Sequence, residues 1–279
     1  MASISTKSIL GAAVVALSLT AVAAPATAGD LFGRRDKAGS IKDAPAEEPK
    51  RLCSFSINAG GTSDYVFRGI SQRFEDPAVQ GGADATCGLF YAGIWGSTVD
   101  FARPNTPANN DQDANLEVDL YMGVKPTWGP LTFDLGVIYY WYPGADDKSP
   151  AFETDYVELK GGVSGTWNNF SLGGTLFWSP DYTLETGNTI TLEGTVGYTF
   201  SAIGPVTPSI SALIGTTQFL DSAGDGLDYV YWNAGIALAI DKFTLDFRYW
   251  DTNSNGNDFC AIKDLCDERF VVSAKVTLP

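Results

Sequence analysis

Glu117 and Asp119 flank Val118, and paired carboxylates can exchange protons or attract cations. Arg68 stands beside Gly69, a guanidinium next to a residue that lets another backbone come close. Asp251, Asn253 and Asn255 recur at every second position before Gly256, as oxygen ligands do at the start of a calcium loop. The twelfth position of such a loop needs glutamate and here is Ile262, and Asn/Asp/Gly runs are also ordinary turns, so no metal is assigned. Cys53, Cys87, Cys260 and Cys266 fit neither a CxxC redox motif nor a zinc spacing. The 279 residues include no histidine. That excludes Ser-His-Asp hydrolysis, Cys-His chemistry and histidine-ligated zinc. Acid–base work by carboxylates alone is the remaining catalytic reading. The expectation is a protein that is not an enzyme and carries no cofactor.

The net charge of −15 argues against a nucleic-acid partner, because phosphate contacts need a basic face. A hydrophobic share of 44% with 13% aromatics argues against disorder. No apolar run of membrane-helix length lies beyond the N-terminus.

The N-terminus reads as a targeting segment. Lys7 precedes the apolar run Ile9 to Ala24, and Ala26-Thr27-Ala28 supplies the small residues that signal peptidase needs. The expected division is a signal peptide over 1–28, a polar periplasmic leader over 29–51 and a barrel over 52–279. An uncleaved anchor is the other reading of the first segment. Export makes disulfides permissible.

From Cys53 onward the apolar residues recur with period two. Leu116, Val118, Leu120, Met122 and Val124 share one face, while Glu117, Asp119, Tyr121, Gly123 and Lys125 share the other. Similar alternation predicts twelve strands: 54–67, 79–86, 89–99, 116–127, 131–142, 154–167, 170–179, 189–200, 207–219, 229–240, 243–251 and 268–278. Short links alternate with longer polar ones, as in a transmembrane antiparallel up-and-down β-barrel with tight periplasmic turns and external loops. A secreted β-sandwich would show similar alternation. Trp128, Trp141, Tyr142, Trp167 and Trp178 at strand ends favour the barrel, because interfacial aromatic girdles sit there.

In a barrel the polar faces line the lumen. That face carries Asp64, Arg68, Asp84, Glu117, Asp119, Lys125, Asp134, Glu158, Lys160, Glu193, Asp246, Arg248, Arg269 and Lys275. Closing the last strand onto the first gathers Arg68, Arg248, Arg269 and Lys275 opposite Glu117, Asp119, Asp134, Glu158 and Glu193. The first expectation is a transverse field across a narrow pore. The second is cross-strand pairing that fills a tight lumen. Arg68 is either a constriction residue or a structural one paired with Asp64. Cys53 with Cys87, and Cys260 with Cys266, are the pairings that do not span the membrane. Acidic loop residues such as Asp111, Asp113, Asp146 and Asp147 are solvated or bridge to lipopolysaccharide through divalent cations.

Thr62-Ser-Asp-Tyr-Val-Phe-Arg-Gly-Ile-Ser-Gln72 resembles the opening signature of the TorF-type porin family, conserved proteobacterial outer-membrane proteins of poorly defined function. Leu116 to Tyr121, Gly136 to Gly144, Trp178 to Tyr182 and Phe247 to Thr252 are similar to the same family, in the expected order. The resemblance covers about residues 54–278 and implies an outer-membrane barrel with channel activity.

The expected function is a porin-like channel for passive diffusion of small solutes or ions, with a mild cation preference. The alternative is a non-conducting barrel that acts through its external loops. The expected partners are outer-membrane lipid and lipopolysaccharide, the barrel-assembly machinery and the solutes themselves, and the oligomeric state is left open.

Overall fold

The computed structural model describes residues 53–100, 114–145, 153–253 and 265–279. The expected signal peptide and leader, Cys260, the acidic residues Asp111, Asp113, Asp146 and Asp147, and Asn255 and Gly256 of the calcium-like run lie outside these residues.

Twelve strands form the wall. They are β1 (Cys53–Thr62), β2 (Ala78–Cys87), β3 (Phe90–Thr98), β4 (Leu116–Val124), β5 (Leu131–Trp141) and β6 (Tyr156–Trp167), followed by β7 (Phe170–Tyr182), β8 (Gly187–Thr199), β9 (Thr207–Phe219), β10 (Tyr229–Ile240), β11 (Phe243–Thr252) and β12 (Arg269–Leu278). Each strand pairs antiparallel with its neighbours in sequence, and β1 pairs with β12 from Ile57 opposite Leu278 to Thr62 opposite Ser273. The sheet is therefore a closed up-and-down barrel with no free edge, the arrangement a membrane-spanning sheet needs because hydrocarbon offers no hydrogen-bond partners.

The pattern of burial separates barrel from sandwich. Phe55, Val79, Met122, Leu135 and Phe270 are exposed, Phe270 at 80%. Glu117 and Glu158, at 2% and 1%, are among the most buried residues. A water-soluble sandwich would bury the first set and expose the second. Here the apolar face needs acyl chains to cover it. Trp128 and Trp167 are exposed at the end with short turns, and Trp141 at the end with long links, which fits two aromatic girdles. Tyr142 departs from that expectation: it is buried and points inward, because Trp141 takes the outward position of the alternation.

The short turns follow local chemistry. Asn168 reverses the chain between β6 and β7 at φ 54°, a left-handed conformation that asparagine tolerates. The Asn169 side-chain amide donates to the Thr199 carbonyl at 2.6 Å and ties this turn to β8. Cys53 lies directly opposite Cys87, and the two form a disulfide at the turn end of β1 and β2.

The first strand is shorter than predicted. β1 ends at Thr62 rather than at residue 67, and Asp64 and Arg68 therefore leave the wall. The Thr62 hydroxyl donates to the Asp64 carbonyl at 2.7 Å, and the Ser63 amide donates to the Val272 carbonyl at 2.9 Å. Beyond them the chain forms a two-residue hairpin, Val66–Phe67 against Ile70–Ser71. Arg68 at φ 49° and Gly69 at φ 82° make its tip, matching a turn with positive φ at both central residues.

Candidate functional site

The hairpin folds into the lumen. A β-carbon on Gly69 would lie 2.8 Å from the Tyr231 β-carbon and 2.5 Å from the Thr252 methyl, so the tip rests on the inner wall of β10 and β11. Its base is pinned by ion pairs and backbone contacts. Arg269, at the start of β12, holds Asp64 at 3.0 Å and Glu75 at 3.5 Å. The Ser71 hydroxyl donates to Asp64 at 2.8 Å, and the Ser71 amide donates to the Leu265 carbonyl at 2.9 Å. Burial pushes the Asp64 carboxyl above its ordinary pKa, and the Ser71 and Arg269 hydrogen bonds oppose that rise.

From the tip, Arg68 crosses the lumen to β6. Its two terminal nitrogens meet the two Glu158 oxygens at 2.7 and 2.8 Å, a bidentate fork. Tyr140 on β5 donates to the same carboxylate at 3.1 Å. The guanidinium carbon lies 4.8 Å from the ring centroids of Phe67 and Phe177, and 5.9 Å from that of Tyr182. Arg68 is only 4% exposed. This corrects the pairing of Arg68 with Asp64: once the chain turns inward at Thr62, the two residues diverge and each takes a separate partner.

Tyrosines fill the lumen around this pair. Tyr140 stacks on Tyr156 at 4.3 Å, and Tyr156 meets Tyr182 edge-on at 4.7 Å. Tyr65, at the hairpin base, donates to Glu117 at 2.6 Å, and Tyr231 donates to Glu193 at 2.6 Å. Asp119, two residues from Glu117 on the inward face of β4, has its Oδ1 buried without a hydrogen-bond partner among the described residues. Among the described residues, Glu158 alone of these carboxylates is matched by a cation.

Nearer the turn end the charges pair locally. Lys160 approaches Asp134 at 2.8 Å and Lys125 approaches it at 3.7 Å. Tyr91 donates to Asp134 at 2.7 Å, and its ring lies 4.4 Å from the Lys125 ammonium. Tyr121 donates to Asp84 at 2.5 Å. Arg248 bonds Asp246, Asn233 and Ser211. Lys275 is exposed on the inward register of β12.

The predicted lumenal residues thus separate by height. Asp64, Arg68, Glu117, Asp119, Glu158, Glu193 and Arg269 belong to the hairpin level, whereas Lys125, Asp134, Lys160, Asp246, Arg248 and Lys275 lie closer to the turns. The transverse arrangement loses Arg68, which leaves the basic wall for the acidic one. The residues missed from the sequence are Tyr65, Tyr140, Phe177 and Tyr231, and tyrosine on the polar face of the alternation was the available signal. Cys266 is disulfide-bonded, and its expected partner Cys260 lies outside the described residues. No group of three or more potential ligands that could hold a metal occurs among the described residues.

Known structures share the architecture. The KdgM porin aligns over 80% of this chain and 99% of its own, with a TM-score of 0.51 at 8% identity. The NanC porin aligns over 80% and 98%, with a TM-score of 0.45 at 11% identity. LpxR from Salmonella typhimurium aligns over 80% and 99%, with a TM-score of 0.43 at 10% identity. At 8% identity the likeness to the KdgM porin is one of fold. No protein of curated function matches the sequence. Residues 46–278, which span the whole barrel, match the family described as a bacterial protein of unknown function (Gcw_chp), and the chain belongs to that family.

Proposed function

We propose that this barrel is an outer-membrane channel that passes small solutes or ions through a narrow constriction, with a mild cation preference. The carrying observation is the balance of charge at the hairpin level. Among the described residues, Glu158 pairs with Arg68 and Asp64 and Glu75 with Arg269, while Glu117, Asp119 and Glu193 add three carboxyl groups with no ion pair. In a water-poor constriction such an excess of acid favours cations over anions. A twelve-stranded wall supports this reading, since it falls between filled eight-stranded barrels and open porins in size. The resemblance to TorF-type porins points the same way. Export through a cleaved signal peptide, lipopolysaccharide contacts at the acidic loops and insertion by the assembly machinery belong to the same reading.

Single-channel recording across a salt gradient tests it. The refolded mature chain should give small discrete steps with a reversal potential shifted toward cations. A folded, heat-modifiable barrel that never conducts would overturn the channel. The contiguous layer of Tyr140, Tyr156 and Tyr182 would then support the second reading, a closed barrel that acts through its loops.

A further inference from the structure

Arg68 occupies a recognition site that the wall would present without it. The parts divide by origin. Phe67 belongs to the hairpin, whereas Glu158, Tyr140, Phe177 and Tyr182 belong to β5, β6 and β7. Withdrawing the hairpin therefore leaves a carboxylate positioned by a tyrosine hydroxyl and two aromatic faces around one opening. Those groups recognise a planar organic cation: two oxygens match a guanidinium fork, and ring faces attract a weakly hydrated charge.

Two details indicate that the cage recognises the head group rather than the arginine as a whole. The Arg68 Nε is buried without a hydrogen-bond partner, while both terminal nitrogens are engaged. Everything the wall reads is thus present in any simple guanidinium or amidinium. The tether is also unfavourable, because Arg68 holds a left-handed backbone at φ 49° that side chains other than glycine, asparagine and aspartate seldom adopt. The seat holds the residue in that conformation.

We infer that the Glu158–Phe177–Tyr182 cage is a binding subsite for guanidinium-bearing solutes, and that Arg68 is a tethered occupant which such a solute displaces. The inference rests on the channel reading for the passage of the solute and on the cage geometry alone for its binding. It narrows the cation preference to a substrate class. A solute that enters the cage releases the hairpin tip, so occupancy and opening are coupled.

The test separates site from pore. The refolded Arg68→Ala chain is heated in detergent with methylguanidinium, with methylurea as the uncharged isostere, or with sodium at matched ionic strength. Methylguanidinium should restore most of the lost unfolding temperature, and the other two should restore none of it. Adding Glu158→Gln to the variant should abolish the recovery. Equal responses to all three additives would overturn the site. If Arg68→Ala folds only with methylguanidinium, the inference stands. If it folds in none of them, Arg68→Lys decides, since its ammonium leaves the fork unfilled: a rise specific to methylguanidinium supports the site and no rise overturns it. None of these readouts needs conductance. A barrel that binds methylguanidinium and never conducts would remove the channel and keep the site, while a conducting barrel indifferent to it would do the reverse.

Discussion

At the scale of the residue, Glu158 organises the lumen. It is 1% exposed and accepts hydrogen bonds from both terminal nitrogens of Arg68 and from Tyr140. Buried ion pairs add little net stability, because desolvation offsets their attraction. Losing one partner is costly, because the other stays buried and charged. Glu158→Ala should therefore destabilise the folded barrel by about 3–5 kcal/mol, measured by equilibrium unfolding in urea. The acids and bases of the lumen were legible in the sequence because alternation assigns each side chain to a face. Their partners were not, because alternation says nothing of height along the barrel axis or of a side chain that crosses the lumen. Arg68 and Asp64 lie four residues apart and read as natural partners, yet they separate as soon as the chain leaves the wall.

At the scale of the element, the inner wall is shaped by glycines that make room for rings. Tyr91 on β3 lies over Gly123 of β4 and Gly136 of β5 on its way to Asp134. A β-carbon on Gly123 would meet both the Tyr91 ring and the Leu135 carbonyl oxygen. The carbonyl belongs to the β4–β5 ladder and cannot give way. Gly123→Ala should cost about 1–3 kcal/mol through overpacking, measured as a lower temperature of heat modification in gel shifts. All twelve strands were legible from the period of two, including the Ala78–Thr98 hairpin, where small residues blur the pattern. The end of β1 was not legible. Val66, Phe67 and Ile70 are strand-forming residues, so the alternation runs on through a change of direction. The Arg68-Gly69 pair was the available signal for a two-residue turn, masked by an arginine that rarely takes positive φ.

At the scale of the whole molecule, an apolar exterior encloses a polar lumen that one hairpin narrows. Replacing Tyr65–Ser71 with a short Gly-Ser linker should raise single-channel conductance several-fold. The cation preference should persist, because Glu117, Asp119 and Glu193 stay on the wall. An unchanged conductance in the folded variant would place the constriction elsewhere. The seam between β1 and β12 sets a timetable for assembly as well. It joins opposite ends of the barrel chain, and the Arg269–Asp64 pair that guards it links residues 205 positions apart. Contacts so distant in sequence form late, since their closure entropy comes before their reward. The seat for Arg68 draws on the central strands β5, β6 and β7, while the hairpin hangs from β1 at one margin of the still-open sheet and its base and tip meet β10, β11 and β12 near the other. It can dock only after curvature brings both margins round, so its insertion reports that the cylinder is complete. The segment that obstructs the lumen thereby becomes the last piece of the fold to arrive and the first able to leave.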